Sequence, residues 1–217
     1  MSTPASTDAE TPLLRARALT CLREEEPLFR PIDIDLPRGH LLVLEGRNGA
    51  GKTTLLRALL GLHPLEAQSL QFLGEDVLQQ RHALNAGALW LGHLLALKGD
   101  LTVRENLEFA LAIGSDAEPG DIDQLCADLG LAGYEDTPAR ALSAGQRKRA
   151  ALARLAASNR ALWLLDEPFA NLDAPGMALV ERLLSRHLAG GGSAMLTSHG
   201  VLPITLPAVT VRLEHAR

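Results

Sequence analysis

Basic charge is in short supply in this sequence: 21 Lys and Arg stand against 26 Asp and Glu, for a formal net charge of −5. A chain that grips nucleic acid through its backbone carries clustered cations, so no nucleic-acid partner is expected. Cysteine is equally scarce. Cys21 and Cys126 are the only two and share no CxxC or Cys/His spacing, so a zinc site and a disulfide scaffold both fall away and two reduced core thiols are expected. Long apolar runs are missing as well. Stretches such as Leu41–Leu44 and Leu162–Leu165 fall far short of the roughly 20 residues that span a bilayer, which argues against direct membrane insertion. The opening MSTPASTDAET is polar and carries Asp8 and Glu10, whereas a secretory leader starts basic and turns apolar; residues 1–11 are expected to form a disordered tail. No internal repeat is visible, which points to one unit rather than a tandem pair.

What is present is a chain of 217 residues, 47% hydrophobic, able to bury one sizeable core. Leu13–Thr20 and Ile32–Leu36 alternate as strands around a turn at Glu24–Pro27 and predict a small antiparallel edge. Leu41–Glu45 reads as a buried strand that runs into a glycine-rich loop, and Thr53–Leu60 as a helix that stops at Gly61. Ala88–Leu91 is another short strand. Residues 94–158 read as a helical lobe broken by a Gly/Pro/Asp loop at Gly114–Asp121. Strands return at Leu162–Asp166, Ala194–Thr197 and Val209–Leu213, with a helix at Met177–Leu188 and flexible glycines at Gly190–Gly192. Alternating strands and helices predict a mainly parallel sheet covered on both faces. Trp90 and Trp163, both in predicted strands, are expected in the core.

Gly46-Arg47-Asn48-Gly49-Ala50-Gly51-Lys52-Thr53 fits GxxxxGK[ST], with a strand before it and a helix after. In that setting backbone N–H groups wrap phosphates, the helix N-terminus adds its positive end, and Lys52 reaches the β- and γ-phosphates of ATP. Thr53 can place its hydroxyl on Mg²⁺, and Thr54 continues the cradle. The strand Leu162–Leu165 delivers Asp166 and Glu167 at its C-terminal end, where α/β sheets bind ligands. Asp166 suits the Mg²⁺ shell, and Glu167 is placed to polarise the water that attacks the γ-phosphate.

Leu142-Ser143-Ala144-Gly145-Gln146, with its serine 23 residues ahead of Asp166, resembles the LSGGQ signature of ABC ATPases, with Ala144 in place of the first glycine. Read from the residues alone, Ser143 is the N-cap of a helix through Arg147, Lys148 and Arg149 that would present a solvated basic face. The resemblance extends along nearly the whole chain, through Leu101–Leu107, Ala170-Asn171-Leu172-Asp173 and Thr197-Ser198-His199, which look like the family's LTVxENL segment, D-loop and switch histidine. It implies a P-loop NTPase fold over residues 12–217, with a RecA-like, mostly parallel sheet, a small antiparallel edge and a helical ABC sub-lobe. It also implies ATP and Mg²⁺ as cofactors and a homodimer formed on ATP binding, in which Ser143, Gly145 and Gln146 meet the γ-phosphate held by the other protomer. His199 would hydrogen-bond that phosphate.

Two positions depart from the family. Nine residues before Thr102, where most members carry the Q-loop glutamine, stands His93; six before Phe29, where an aromatic usually stacks on adenine, stands Arg23. An imidazole can serve the attacking water or Mg²⁺ through one ring nitrogen, and a guanidinium can stack by its planar face. LWLGH, LTVRENLEF, LAGYEDTPARALSAGQRKRAALARL and LWLLDEPFANLD together resemble the ATP-binding subunits of bacterial cytochrome c maturation, the haem exporters. That branch implies multi-span membrane subunits as partners and a peripheral location on the cytoplasmic face of the inner membrane. Another small ABC importer or exporter, and a soluble iron–sulfur assembly ATPase, are the alternatives.

Overall fold

The computed structural model describes residues 11–92, 96–114, 121–198 and 205–216. Two sheets share the chain. The first is a five-stranded parallel sheet in the order β8(Ala88–Leu91), β9(Leu162–Leu165), β10(Ser193–Thr197), β4(Leu41–Glu45), β11(Ala208–Arg212). The inner strands β4, β9 and β10 are almost wholly buried, because neighbouring residues pack on opposite faces, whereas the edge strand β11 is mostly exposed. Leu41, Val43, Trp163, Leu165, Ala194 and Leu196 face one core, whereas Leu42, Leu44, Leu162, Leu164 and Met195 face another.

The first of these cores lies under α3(Val103–Gly114), α4(Ile122–Asp128), α5(Ala144–Ala156) and α6(Ala174–Ala189). The second lies between the parallel sheet, α1(Lys52–Leu59) and an antiparallel sheet built on the long strand β1(Leu14–Arg23). Around β1 pair β2(Glu26–Pro27), β3(Ile32–Leu36), β5(Leu65–Glu66) and β6(Ser69–Phe72), while β7(Glu75–Asp76) adds to β6. The expected small edge is thus six-stranded, because residues 65–76, in which only the short Ser69–Phe72 alternates, are recruited by pairing with β1 and with one another. A short helix, α2(His82–Gly87), then leads into β8.

Boundaries elsewhere follow local chemistry. Helix α6 starts three residues before its expected first residue because Asp173 caps it, accepting from the Gly176 N–H at 3.0 Å, and Pro175 fits the first turn. The expected helical lobe is interrupted: residues 129–143 run as turns with one short 3₁₀ segment, Ala139–Ala141, before α5 begins. Buried Asn106 ties this region together, accepting from the Lys98 N–H at 2.7 Å and donating to the carbonyls of Lys98, Leu101 and Thr102. Trp163 is in the core as expected, stacked on His187 at 3.8 Å, while Trp90 is half-buried. Both cysteines are buried and unpaired. Among the described residues no helix is long and apolar enough to cross a membrane. Of the expected tail only Thr11 falls within the described residues.

Candidate functional site

The strand order decides what meets at the C-terminal edge of the parallel sheet. β4 runs into the glycine-rich loop, β9 delivers Asp166 and Glu167, and β10, lying between them, ends on Thr197. Residues far apart in sequence are therefore neighbours. The Thr53 hydroxyl donates to Asp166 Oδ1 at 2.8 Å, and the Thr197 hydroxyl donates to the same oxygen at 2.7 Å. Thr197 Oγ1 also accepts from the Glu167 N–H at 2.9 Å. One buried hydroxyl thus holds the aspartate and the backbone of the glutamate.

Helix α1 opens without a side-chain cap: its N-cap, Gly51, has φ of 96°. A Cβ at Gly51 would lie 2.9 Å from Phe29 Cδ1, so both its conformation and its packing demand glycine. An uncapped helix start leaves its first N–H groups for an anion. Lys52, 6% exposed, folds back over the loop and donates to the carbonyls of Gly46 at 2.6 Å and Arg47 at 3.3 Å. Its ammonium thus sits at the mouth of the cradle. Arg47, Asn48 and Gly49 are exposed, Ala50 is buried beneath the loop, and Thr54 is half-buried in the first turn of α1.

Among the described residues no cluster of three or more His, Cys, Asp or Glu forms an all-protein metal cage. Mg²⁺ does not ask for one, because it is usually held by one or two carboxylates together with water and substrate phosphates. Asp166 has Oδ1 occupied by two hydroxyl donors, so Oδ2 and the Thr53 oxygen are suited to that ion. Glu167 follows directly at φ of 51°, a left-handed conformation that costs a non-glycine residue free energy and recurs at functional sites. Its carbonyl accepts from Lys148 Nζ at 3.2 Å, so the strained residue is anchored through both its N–H and its C=O.

Lys148 corrects the expectation of a solvated basic face on α5. It is 6% exposed, and burial lowers its pKa while the nearby Glu167 and Asp166 oppose the shift. Sequence reasoning missed it, as it missed Thr197, because a cation between two arginines reads as surface; only the helical period, which turns one residue of three inward, could have singled it out. Arg149 reaches Asp173 at 3.6 Å, which ties α5 to the start of α6.

Ser143 does cap α5: its hydroxyl accepts from the Gln146 N–H at 3.2 Å, and its own N–H donates to Gln146 Oε1 at 2.8 Å. Gln146 is thus engaged in the capping box through its carbonyl oxygen. A Cβ placed on Gly145 would meet nothing within 4 Å, so no packing among the described residues requires glycine there. Arg23, exposed at the end of β1, lines a cleft of about 540 Å³ together with Gly49 of the loop. His93 and His199 lie outside the described residues.

A strand, an uncapped phosphate-type loop and helix, and an Asp–Glu pair on a neighbouring strand are the marks of a P-loop nucleotide-binding protein with a helical lobe. Residues 29–170 match the family described as ABC transporter, and the chain belongs to that family. The protein is also 48% identical over 202 residues to the cytochrome c biogenesis ATP-binding export protein CcmA of Xanthomonas oryzae pv. oryzae (strain MAFF 311018), covering 93% of this chain and 92% of that protein. The proteins of the same name from Dechloromonas aromatica and Methylococcus capsulatus are 45% and 44% identical, over 92% and 88% of this chain and 98% and 93% of theirs. Among solved structures, a putative ABC transporter ATP-binding protein from Pyrococcus furiosus superposes with a TM-score of 0.77 at 20% identity, covering 92% of this chain and 96% of that one. An ABC-transporter ATP-binding cassette in its ADP conformation gives 0.68 at 21% identity, covering 87% and 82%.

Proposed function

We propose that this chain is the ATP-hydrolysing subunit of a membrane complex of cytochrome c maturation, docked on multi-span membrane subunits at the cytoplasmic face of the inner membrane and driving haem export or release of a haem-loaded chaperone. The observation that carries the reading is the hydroxyl–carboxylate network of Thr53, Asp166, Thr197 and Glu167 at the mouth of an uncapped helix. The relatives' shared name supports the branch.

In this reading the N–H groups of Gly46–Thr54 and the Lys52 ammonium hold the β- and γ-phosphates, exchanging Lys52's contacts with its own loop for phosphate oxygens. Thr53 and Asp166 hold Mg²⁺, which when bound neutralises charge on those oxygens. Glu167, fixed through its backbone, turns its carboxylate to the attacking water and accepts its proton. Ser143 and Gly145 stand open at the start of α5, so a second copy, arranged head to tail, completes each site on its phosphate side. The Gln146 amide nitrogen joins them while its oxygen keeps the cap. His93 and His199 take the Q-loop and switch positions on sequence grounds. The helical lobe meets the membrane subunits.

The test is hydrolysis and co-purification together. Tagged chain extracted in mild detergent is expected to bring down a multi-span membrane protein and to hydrolyse ATP. Glu167→Gln should keep ATP binding yet nearly abolish turnover. ATPase activity that survives in Glu167→Gln would overturn the assigned chemistry, and recovery with soluble proteins alone would overturn the membrane complex.

A further inference from the structure

The phosphate loop accounts for the triphosphate but not for the base, and the residues around it identify what receives the base. Two clefts open beside the loop. One, of about 700 Å³, is lined by Glu45, Gly46, Arg47, Arg212, Glu214 and His215 among others. The second, of about 540 Å³, is lined by Arg23, Pro27, Leu28, Gly49, His215 and Ala216 with two glutamates. Among the described residues His215 is the one common to both, and it contributes the only aromatic ring in either lining. The first cleft has charged walls, in which Arg212 pairs with Glu45 at 3.3 Å and Arg30 with Glu214 at 3.6 Å. The second offers Pro27 and Leu28 as an apolar floor, which suits a purine better.

His215 is not on a loose end. β11 pairs with β4 up to Arg212 and Glu45, the Leu213 N–H donates to the Glu45 carbonyl at 2.8 Å, and the Arg30 N–H donates to the Glu214 carbonyl at 2.9 Å. Phe29 and His215 then pair as an isolated antiparallel bridge. This strap packs directly on the loop: at Gly46, with φ of 151°, a Cβ would stand 2.9 Å from the Leu213 carbonyl. The first residue of the loop and the backbone of His215 are therefore held as one unit, while the His215 side chain is exposed.

We propose that the imidazole of His215 is the stacking surface for the base of the bound nucleotide, with the Arg23 guanidinium on the same cleft as its second wall. The proposal rests on the reading that Gly46–Thr54 hold the triphosphate. A base needs a flat, polarisable face to stack on, and this cleft supplies one ring and one planar cation.

Calorimetric titration of the purified chain with ATP and, separately, with inorganic tripolyphosphate tests it. His215→Ala should weaken ATP binding about 5- to 10-fold, the low end of what one stacked base contributes. Tripolyphosphate affinity should not change, and His215→Phe should restore ATP affinity. Unaltered ATP binding in His215→Ala would overturn the proposal. So would an equal loss for both ligands, which would show that the strap acts on the loop and not on the base. A parent chain that binds neither ligand would instead overturn the nucleotide reading, and the proposal with it.

Discussion

The Thr197 hydroxyl offers the sharpest test of how this site is held together. It is 1% exposed, donates to Asp166 Oδ1 at 2.7 Å and accepts from the Glu167 N–H at 2.9 Å. Thr197→Val keeps the side-chain shape but removes both bonds. A half-buried peptide N–H loses its partner, at about 1–3 kcal/mol, and a bond to a carboxylate disappears, at a further ~1.5–3 kcal/mol before relaxation. Asp166 keeps its bond from Thr53, so the two costs do not add, and a net loss of about 2 kcal/mol is expected. For a chain of this size that corresponds to a fall of about 4–8 °C in melting temperature. Turnover should fall by about tenfold, equivalent to ~1.4 kcal/mol, because Glu167 at φ of 51° loses the anchor on its N–H and relaxes away from the attacking water. ATP affinity should stay within about twofold, since Thr197 touches no group assigned to phosphate. Thermal melts, calorimetric ATP titration and a phosphate-release assay on the parent, Thr197→Val and Thr197→Ser separate these terms. Serine keeps the hydroxyl and should resemble the parent. If Val melts and turns over like the parent, or Ser is as impaired as Val, the hydroxyl is not what positions Glu167.

Gly51→Ala should both destabilise the fold and abolish ATP binding, because the new methyl meets the Phe29 ring at 2.9 Å in a backbone conformation that disfavours any side chain; an unaltered melting temperature and ATP affinity would refute it. Lys52→Ala should weaken ATP binding itself, in contrast to Thr197→Val, and calorimetry that gives parental affinity would remove Lys52 from the phosphate site. Glu167→Gln mixed with ATP should shift by light scattering from monomer to dimer mass, because Ser143 and Gly145 then meet a second copy's nucleotide; a monomer with nucleotide bound would contradict the shared site. Burial pushes the Cys21 thiol up to about 12 and, with help from Glu135, the Cys126 thiol up to about 11. The reactive thiolate is therefore scarce in the folded chain, and a disulfide reagent at pH 8 should titrate about two thiols only after denaturant is added, whereas rapid native reaction would refute the assignment.

Local chemistry was legible from the sequence because it needs only short-range information. The run of apolar residues ending in Gly46–Thr53 specifies a strand, a left-handed glycine and a helix start within one loop, and Leu162–Glu167 specifies a strand with carboxylates at its end. Ser143 ahead of a helical run specifies an N-cap, which formed, and the structure adds Gln146 to it as a capping box. Pairing was not legible in the same way. Strands β5 and β7 are two residues long and β6, though it alternates polar and apolar, only four, so they are strands because β1 and one another supply their hydrogen bonds.

The sequence by itself determined which residues can hold phosphate and a cation, since loop geometry and side-chain chemistry are properties of contiguous residues. Only the tertiary structure decided which of them meet. Placing β10 between β9 and β4 puts Thr197 against both Asp166 and the Glu167 N–H, and the same order lets Thr53 reach Asp166 across 113 residues. Packing of α5 on the sheet turns Lys148 inward to the Glu167 carbonyl, and pairing of β11 with β4 carries His215 to the loop. The physical reason is that a strand's neighbour is chosen by the burial of two apolar faces across the whole sheet, and no window of sequence contains that sum.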